Sequence, residues 1–432
     1  DTQPQGLLMR QTYRWSALSG ACALSLCALS ACGGGGGSSG GAAPQAEYNF
    51  SGGGTNVVSV SVGPGPAAAS EQTFNIPFVT VTVCETGTST CATVNDVLVD
   101  TGSSGLRLMA SALAAQGVTL SAMPDPANSA NSIYECLPFA DGYAWGSVST
   151  ATVKVGAEAT ASAIPVQVID DSATPSPAAP SSCTSYGKSL NSVDAFDANG
   201  VLGVATMIQD CGTACAQQAL SVYYTCVAGG ACTQTTQALA GQVSNPVAGF
   251  PADNNGVIVQ LPRIAVSGAP TATGYLVFGI GTESNNGLGS ATVFTTDSSG
   301  SFITKFESQT LSSSFIDSGS NGLYFPDSSL PLCGQSTPDS EFYCPTSTAS
   351  LTATNQGQNG TTGSVSFQIA NLKTVLNNNN YAYDDVGGPG AAIPGVSGYF
   401  DWGLPFFYDR TVFVAMDGAS VGGTAGPFYA YR

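Results

Sequence analysis

The chain has 432 residues, room for about two domains of roughly 100–200 residues each. It is 43% hydrophobic and only 9% charged, the composition of an all-β extracellular protein, and its formal charge of −18 argues against nucleic acid and anionic lipid as partners. Histidine is absent, which excludes Ser-His-Asp and Cys-His nucleophile systems and every histidine-containing zinc site. Lysines are scarce (Lys154, Lys188, Lys305, Lys373), so carboxylates are the most available acid/base groups.

Residues 1–31 read as a secretory signal with a few upstream residues. Met9, Arg10 and Arg14 precede an apolar run from Trp15 to Ala31, too short and interrupted for a comfortable membrane span. Its "LSAC" ending resembles a bacterial lipobox. By that resemblance Cys32 is diacylated and becomes the mature N-terminus; a plain signal peptide cleaved nearby is the simpler alternative. Gly33, where an inner-membrane retention signal has Asp, points to an outer-membrane lipoprotein of the bacterial cell envelope. Residues 32–53 are then the lipidated cysteine and a Gly/Ser tether. Little room remains for a pro-segment, so no zymogen step is expected.

Thirteen cysteines less Cys22, Cys27 and Cys32 leave ten, an even number that fits disulfides in an oxidising compartment. The spacing offers four local pairs, Cys84 with Cys91, Cys211 with Cys215, Cys226 with Cys232 and Cys333 with Cys344. Cys136 and Cys183 are the remainder. A metal site is the alternative, but no pair has CxxC spacing, and no metal or cofactor is expected.

From about Asn56 the chain reads as short strands broken by Gly, Pro, Asn and Ser: "NVVSVSVG", "FVTVTVC", "NDVLVD", "ATVKVG", "IPVQVID", "GVIVQLP" and "GYLVFGIG". Helical signals are confined to Met109–Ala115, Ala216–Tyr223 and Ile369–Leu376. "NNNNYAYDDVGGPG", Asn377–Gly390, reads as a solvent loop, and the aromatic "YFDWGLPFFYD" as core and hairpin.

One motif occurs twice. "DVLVDTGSSGLRL" and "SSFIDSGSNGLYF" share an order: apolar strand, Asp, a hydroxyl residue, Gly, Ser, then Gly-Leu and a second apolar run. A single D-[ST]-G-S is usually only a turn, because Asp, Gly and Ser are turn formers. Two copies between apolar runs, one in each half of a chain without histidine, point instead to a pair of working carboxylates, Asp100 and Asp317.

These residues resemble the bilobal pepsin-type aspartic peptidases, and also a poorly characterised group of bacterial lipoproteins with the same blocks. Further landmarks are "FDANGVLGVA" (Phe196–Ala205) and "FDWGLPFFYDRTVFVAMD" (Phe400–Asp417), similar to the apolar-apolar-Gly segments behind each aspartate. "FADGYAWGSVSTATVKVG" (Phe139–Gly156) is similar to the flap hairpin, and "GYLVFGIGTESNN" (Gly274–Asn286) to the crossing between lobes. The resemblance implies an all-β, two-lobed fold with double-psi-type β lobes around a central cleft and few short helices. The N-terminal lobe is expected over 54–281 and the C-terminal lobe over 282–432.

The resemblance also assigns roles. Asp100 and Asp317 share a proton and activate water. Thr101 and Ser318 tie the two loops together, Gly102 and Gly319 permit close approach, and Ser103 and Ser320 bond the outer carboxylate oxygens. Phe139, Asp141 and Gly142 belong to the flap and contact substrate. Phe139 stands where the family has Tyr and Arg107 where it commonly has Trp, so the polar contact between those two side chains is expected to be missing. Arg107 is left to meet acidic substrate groups or to reach solvent.

The implied function is a secreted, lipid-anchored aspartic endopeptidase, a monomer acting on peptide or protein substrates and touching the membrane only through its lipid. The second reading is a non-catalytic surface lipoprotein whose cleft binds peptide, glycan or an envelope partner. A glycosidase using two carboxylates is a remoter third.

Overall fold

The structure is a computed structural model that describes residues 50, 53–69, 73–336, 339–376, 379–390 and 398–432. The signal segment, Cys32 and most of the tether lie outside the described residues. Phe50, assigned to the tether, is buried against Tyr275, so packed structure begins ahead of residue 54.

The alternating and β-branched runs form strands. One antiparallel series passes from Pro77–Glu85 to Val57–Val62, Ala272–Phe278, Gly256–Leu261, Arg410–Ala415, Phe428–Tyr431 and Thr292–Thr295. Strands from both halves are therefore hydrogen-bonded into one sheet, and a division near Gly281 does not separate them. The central members "GVIVQL" and "RTVFVA" are buried along nearly their whole length, because both faces of this sheet are covered.

The same strand arrangement occurs once in each half of the chain. Gly200–Val204 runs parallel to Cys91–Asp100 and antiparallel to Ser104–Met109, lying between them. Asp401–Trp402 does the same between Gln309–Ile316 and Leu323–Tyr324. Gly203, inside the first inserted strand, and Gly403, just after the second, pass close to a neighbouring turn. A Cβ on Gly203 would sit 2.8 Å from the Ser103 carbonyl oxygen, and one on Gly403 2.0 Å from that of Gly322. The second half is completed by Phe302–Phe306, Ala349–Gln356 and Thr362–Ile369. Its core is aromatic: Phe400 stacks on Trp402 at 3.9 Å and on Phe325 at 4.8 Å.

Five disulfides join Cys84–Cys91, Cys136–Cys183, Cys211–Cys215, Cys226–Cys232 and Cys333–Cys344. Helices are short: Ala110–Ala114 and Leu372–Val375 fall within two of the expected regions. The third expected helix fails. Thr213–Gln217 is helical, but Tyr223–Val227 is a strand, because "YYTCV" pairs along the edge of Asn128–Phe139. Asn377–Gly390 is not a solvent loop either. Of its described residues, Tyr383 and Val386 are fully buried, and Gly387–Gly388 pairs with Leu323–Tyr324. Asn75 pins this segment by donating to the Tyr383 carbonyl at 2.8 Å. No helix among the described residues is long and apolar enough to cross a membrane.

Candidate active site

Each aspartate stands at the buried end of a strand: "VLVD" from Val97 to Asp100 is buried, as is "SFID" from Ser314 to Asp317. The turn that follows bonds back to its own carboxylate. Gly102 N–H and Ser103 N–H donate to Asp100 Oδ1 at 2.7 and 3.2 Å, and the Ser103 hydroxyl donates to Oδ2 at 2.5 Å. Gly319 N–H donates to Asp317 Oδ1 at 2.7 Å. Short side chains are required here because each turn is packed against the other. A Cβ on Gly102 would lie 2.5 Å from the Asp317 carboxyl, and one on Gly319 2.8 Å from Asp100 Oδ1.

The two turns interlock. Thr101 N–H donates to Ser318 Oγ at 3.1 Å and Ser318 N–H donates to Thr101 Oγ1 at 2.9 Å. Each hydroxyl then donates onward to the opposite strand, Thr101 Oγ1 to the Ile316 carbonyl at 3.0 Å and Ser318 Oγ to the Val99 carbonyl at 2.7 Å. Four buried backbone groups at the strand ends are thereby satisfied, and the two carboxyls are fixed as neighbours.

The pair is not symmetric. Ser320 Oγ lies 3.1 Å from Asp317 Oδ2 and also 2.6 Å from Oδ2 of a third carboxylate, Asp401, which is fully buried. Burial, then the charge of Asp100, then that of Asp401, hold the Asp317 carboxyl well above the usual carboxylate range. Asp401 is a residue that sequence reasoning missed. The only signal for it was an acid inside the otherwise apolar run "YFDWGLPFF".

Arg107 corrects an expectation. Its side chain neither reaches solvent nor is open to a substrate; it is fully buried. Its guanidinium takes Glu135 in a fork, Nη2 to Oε1 at 2.7 Å and Nε to Oε2 at 3.3 Å, and meets Asp210 at 3.1 Å. Tyr223 O–H donates to Asp210 at 2.7 Å. Glu135 lies on the hairpin strand Asn128–Phe139, so a polar link from position 107 to the hairpin is present, made by an ion pair. Desolvation alone lowers the Arg107 pKa, but Glu135 and Asp210 outweigh it and the net shift is upward. Asp210 is pushed well up by burial and by Glu135, against the opposing pull of Arg107.

The hairpin tip is also held. Phe139 is buried edge-on against Phe196 at 5.6 Å, inside a cluster with Phe78, Leu98 and Val201, and so is a core residue instead of a lid. Gly142 and Tyr143 pair in parallel with Lys188–Ser189, and a Cβ on Gly142 would lie 2.1 Å from the Lys188 carbonyl oxygen. Asp141 sits in the turn, partly buried, and its charge acts on Tyr324 of the other half. The Cys136–Cys183 disulfide fastens the same hairpin to the helix Ser181–Thr184. Among the described residues no group of three or more His, Cys, Asp or Glu is placed to hold a metal ion.

These pairings define an all-β, two-lobed protein with the pepsin-like fold, an assignment that stands on two inserted-strand units meeting through one Asp-containing turn from each. A family model described as "Protein of unknown function (DUF3443)" matches residues 52–431, and the chain belongs to that family. Among solved structures it is similar to the aspartic proteinase from Irpex lacteus at 16% identity, with a TM-score of 0.47, covering 87% of this chain and 97% of that one. No curated protein matches it.

Proposed function

We propose that the protein is an aspartic endopeptidase using Asp100 and Asp317. The observation that carries this reading is the contact of two buried carboxyls through interlocked turns with a raised Asp317 pKa. Two such groups hold one proton between them. The ionised member takes a proton from water as the water oxygen bonds the scissile carbonyl carbon, while the protonated member gives its proton to the carbonyl oxygen. Collapse of the tetrahedral adduct, with a proton delivered to the amide nitrogen, breaks the C–N bond and leaves a carboxylic acid and an amine. An extended peptide or protein segment between the lobes is the substrate class, bound as an added strand.

The test is cleavage of a peptide library by the purified full-length protein across about pH 3 to 7.5, with pepstatin and with D100N and D317N as controls. Cleavage lost by about 10²–10⁴-fold in either variant supports the reading. Cleavage that survives both overturns it.

The tied hairpin favours a second reading, a peptide- or glycan-binding surface protein without catalysis, since a tip paired to Lys188–Ser189 has little freedom to open and close. Retained ligand capture by D100N/D317N protein, with no cleavage by the unmutated chain, is its signature. On either reading we propose a monomeric lipoprotein of the bacterial envelope anchored through Cys32, a reading supported by the basic start, the apolar run and the "LSAC" ending. Loss of palmitate labelling in C32A tests the anchor.

A further inference from the structure

A hydroxyl carries one hydrogen, yet Ser320 Oγ stands between two carboxyls. It is 2.6 Å from Asp401 Oδ2 and 3.1 Å from Asp317 Oδ2. It donates to one of them only, and the shorter contact assigns the donation to Asp401. The longer contact leaves Asp317 Oδ2 without the full benefit of that hydrogen, which disfavours a second negative charge there.

The first half lacks this chain. Val201 occupies the place of Asp401. It pairs with Leu98, two residues before Asp100, as Asp401 pairs with Phe315, two before Asp317. Ser103 accordingly gives its hydrogen to Asp100, which also accepts two backbone N–H groups. Three donors are thus aimed at the Asp100 carboxylate.

We propose that Asp401 is a positioning residue that, through Ser320, keeps the shared proton on Asp317 and leaves Asp100 as the carboxylate that takes a proton from water. This rests on the peptidase reading of the site. The groups facing Asp317 are Asp100 from the opposite turn and Asp401 from the inserted strand. Those acting around Tyr324, the register partner of Asp401, are Asp401 itself, Glu341, Tyr399 and Asp141. Every one of these is acidic or phenolic, so the charge of Asp401 adds to that of Asp100. The Tyr324 hydroxyl is itself engaged with Asn321 at 2.5 Å.

The experiment uses the full-length chain with aspartate labelled at its carboxyl carbon, and D401N. In the unmutated protein the Asp401 resonance is expected at its ionised position while that of Asp317 is still protonated; the reverse order overturns the proposal without any variant. In D401N the amide donates to Ser320, whose hydroxyl turns to Asp317. The Asp317 titration and the alkaline limb of kcat/KM then move about one pH unit or more to the acid side, with KM little changed. An active D401N with unshifted titration and pH profile overturns the role of Asp401 and leaves the peptidase reading intact. Absence of cleavage by the unmutated chain overturns the peptidase reading, and the carboxyl titrations still report which of Asp317 and Asp401 holds the proton.

Discussion

Thr101 and Ser318 each donate a backbone N–H to the other's hydroxyl, at 3.1 and 2.9 Å, and each hydroxyl passes its own hydrogen to a carbonyl on the far strand. The exchange makes the relative position of the two aspartates a property of the backbone. Thr101→Val keeps the shape and leaves the Ser318 N–H and the Ile316 carbonyl buried without their partner. Each such group costs about 1–3 kcal/mol. Urea unfolding should show Thr101→Val destabilised by that order and Thr101→Ser close to the unmutated protein.

The buried Arg107 is surrounded by Glu135 and Asp210 with essentially no solvent contact. Arg107→Met removes the one cation and strands two acids. Breaking a buried pair from one side costs about 3–5 kcal/mol. Arg107→Lys should fall between, because an ammonium cannot reproduce the forked contact with Glu135. Thermal melts of both variants check the order.

Cys136–Cys183 closes the widest disulfide loop, with a sequence separation of 47, and fixes the hairpin strand to its neighbouring helix. The chain-entropy relation assigns such a loop about 4 kcal/mol. A Cys136→Ser/Cys183→Ser double variant should be destabilised by that order. Its amide exchange should be fastest in Asn128–Phe139 and Gly142–Val155. A uniform increase over the whole chain would contradict a local anchoring role.

Asp385 lies in the buried stretch that pairs with Leu323–Tyr324, and burial followed by the charge of Asp384 raises its pKa from 3.8 to about 6. A carboxyl whose folded value exceeds its unfolded value stabilises the fold fully below the unfolded value. That contribution is lost as pH rises through the folded one. Stability should therefore decline between pH 3.8 and about 6. Asp385→Asn should flatten this part of the curve, measured by denaturant midpoints at the two ends of the window. Asp317 and Asp210, both raised, act in the same direction.

Much of this molecule was legible in its residues. Period-two and wholly apolar runs announced strands, because a sheet face must be dry. The doubled Asp-hydroxyl-Gly-Ser motif marked both turns, because only short polar residues fit where two turns interlock. Cysteine spacing indicated the disulfide pairs, since near neighbours on adjoining strands or in one turn have few other partners within reach. Arg107, Phe139 and Asp401 were not legible. Their roles depend on side chains distant in sequence: Glu135 and Asp210 around the arginine, Phe196 against the phenyl ring, Ser320 beside the third acid. Local pattern fixes which way a side chain points along its strand. What it meets there is decided by the register and crossing of other strands, and for a buried charge that meeting sets its protonation as well as its place.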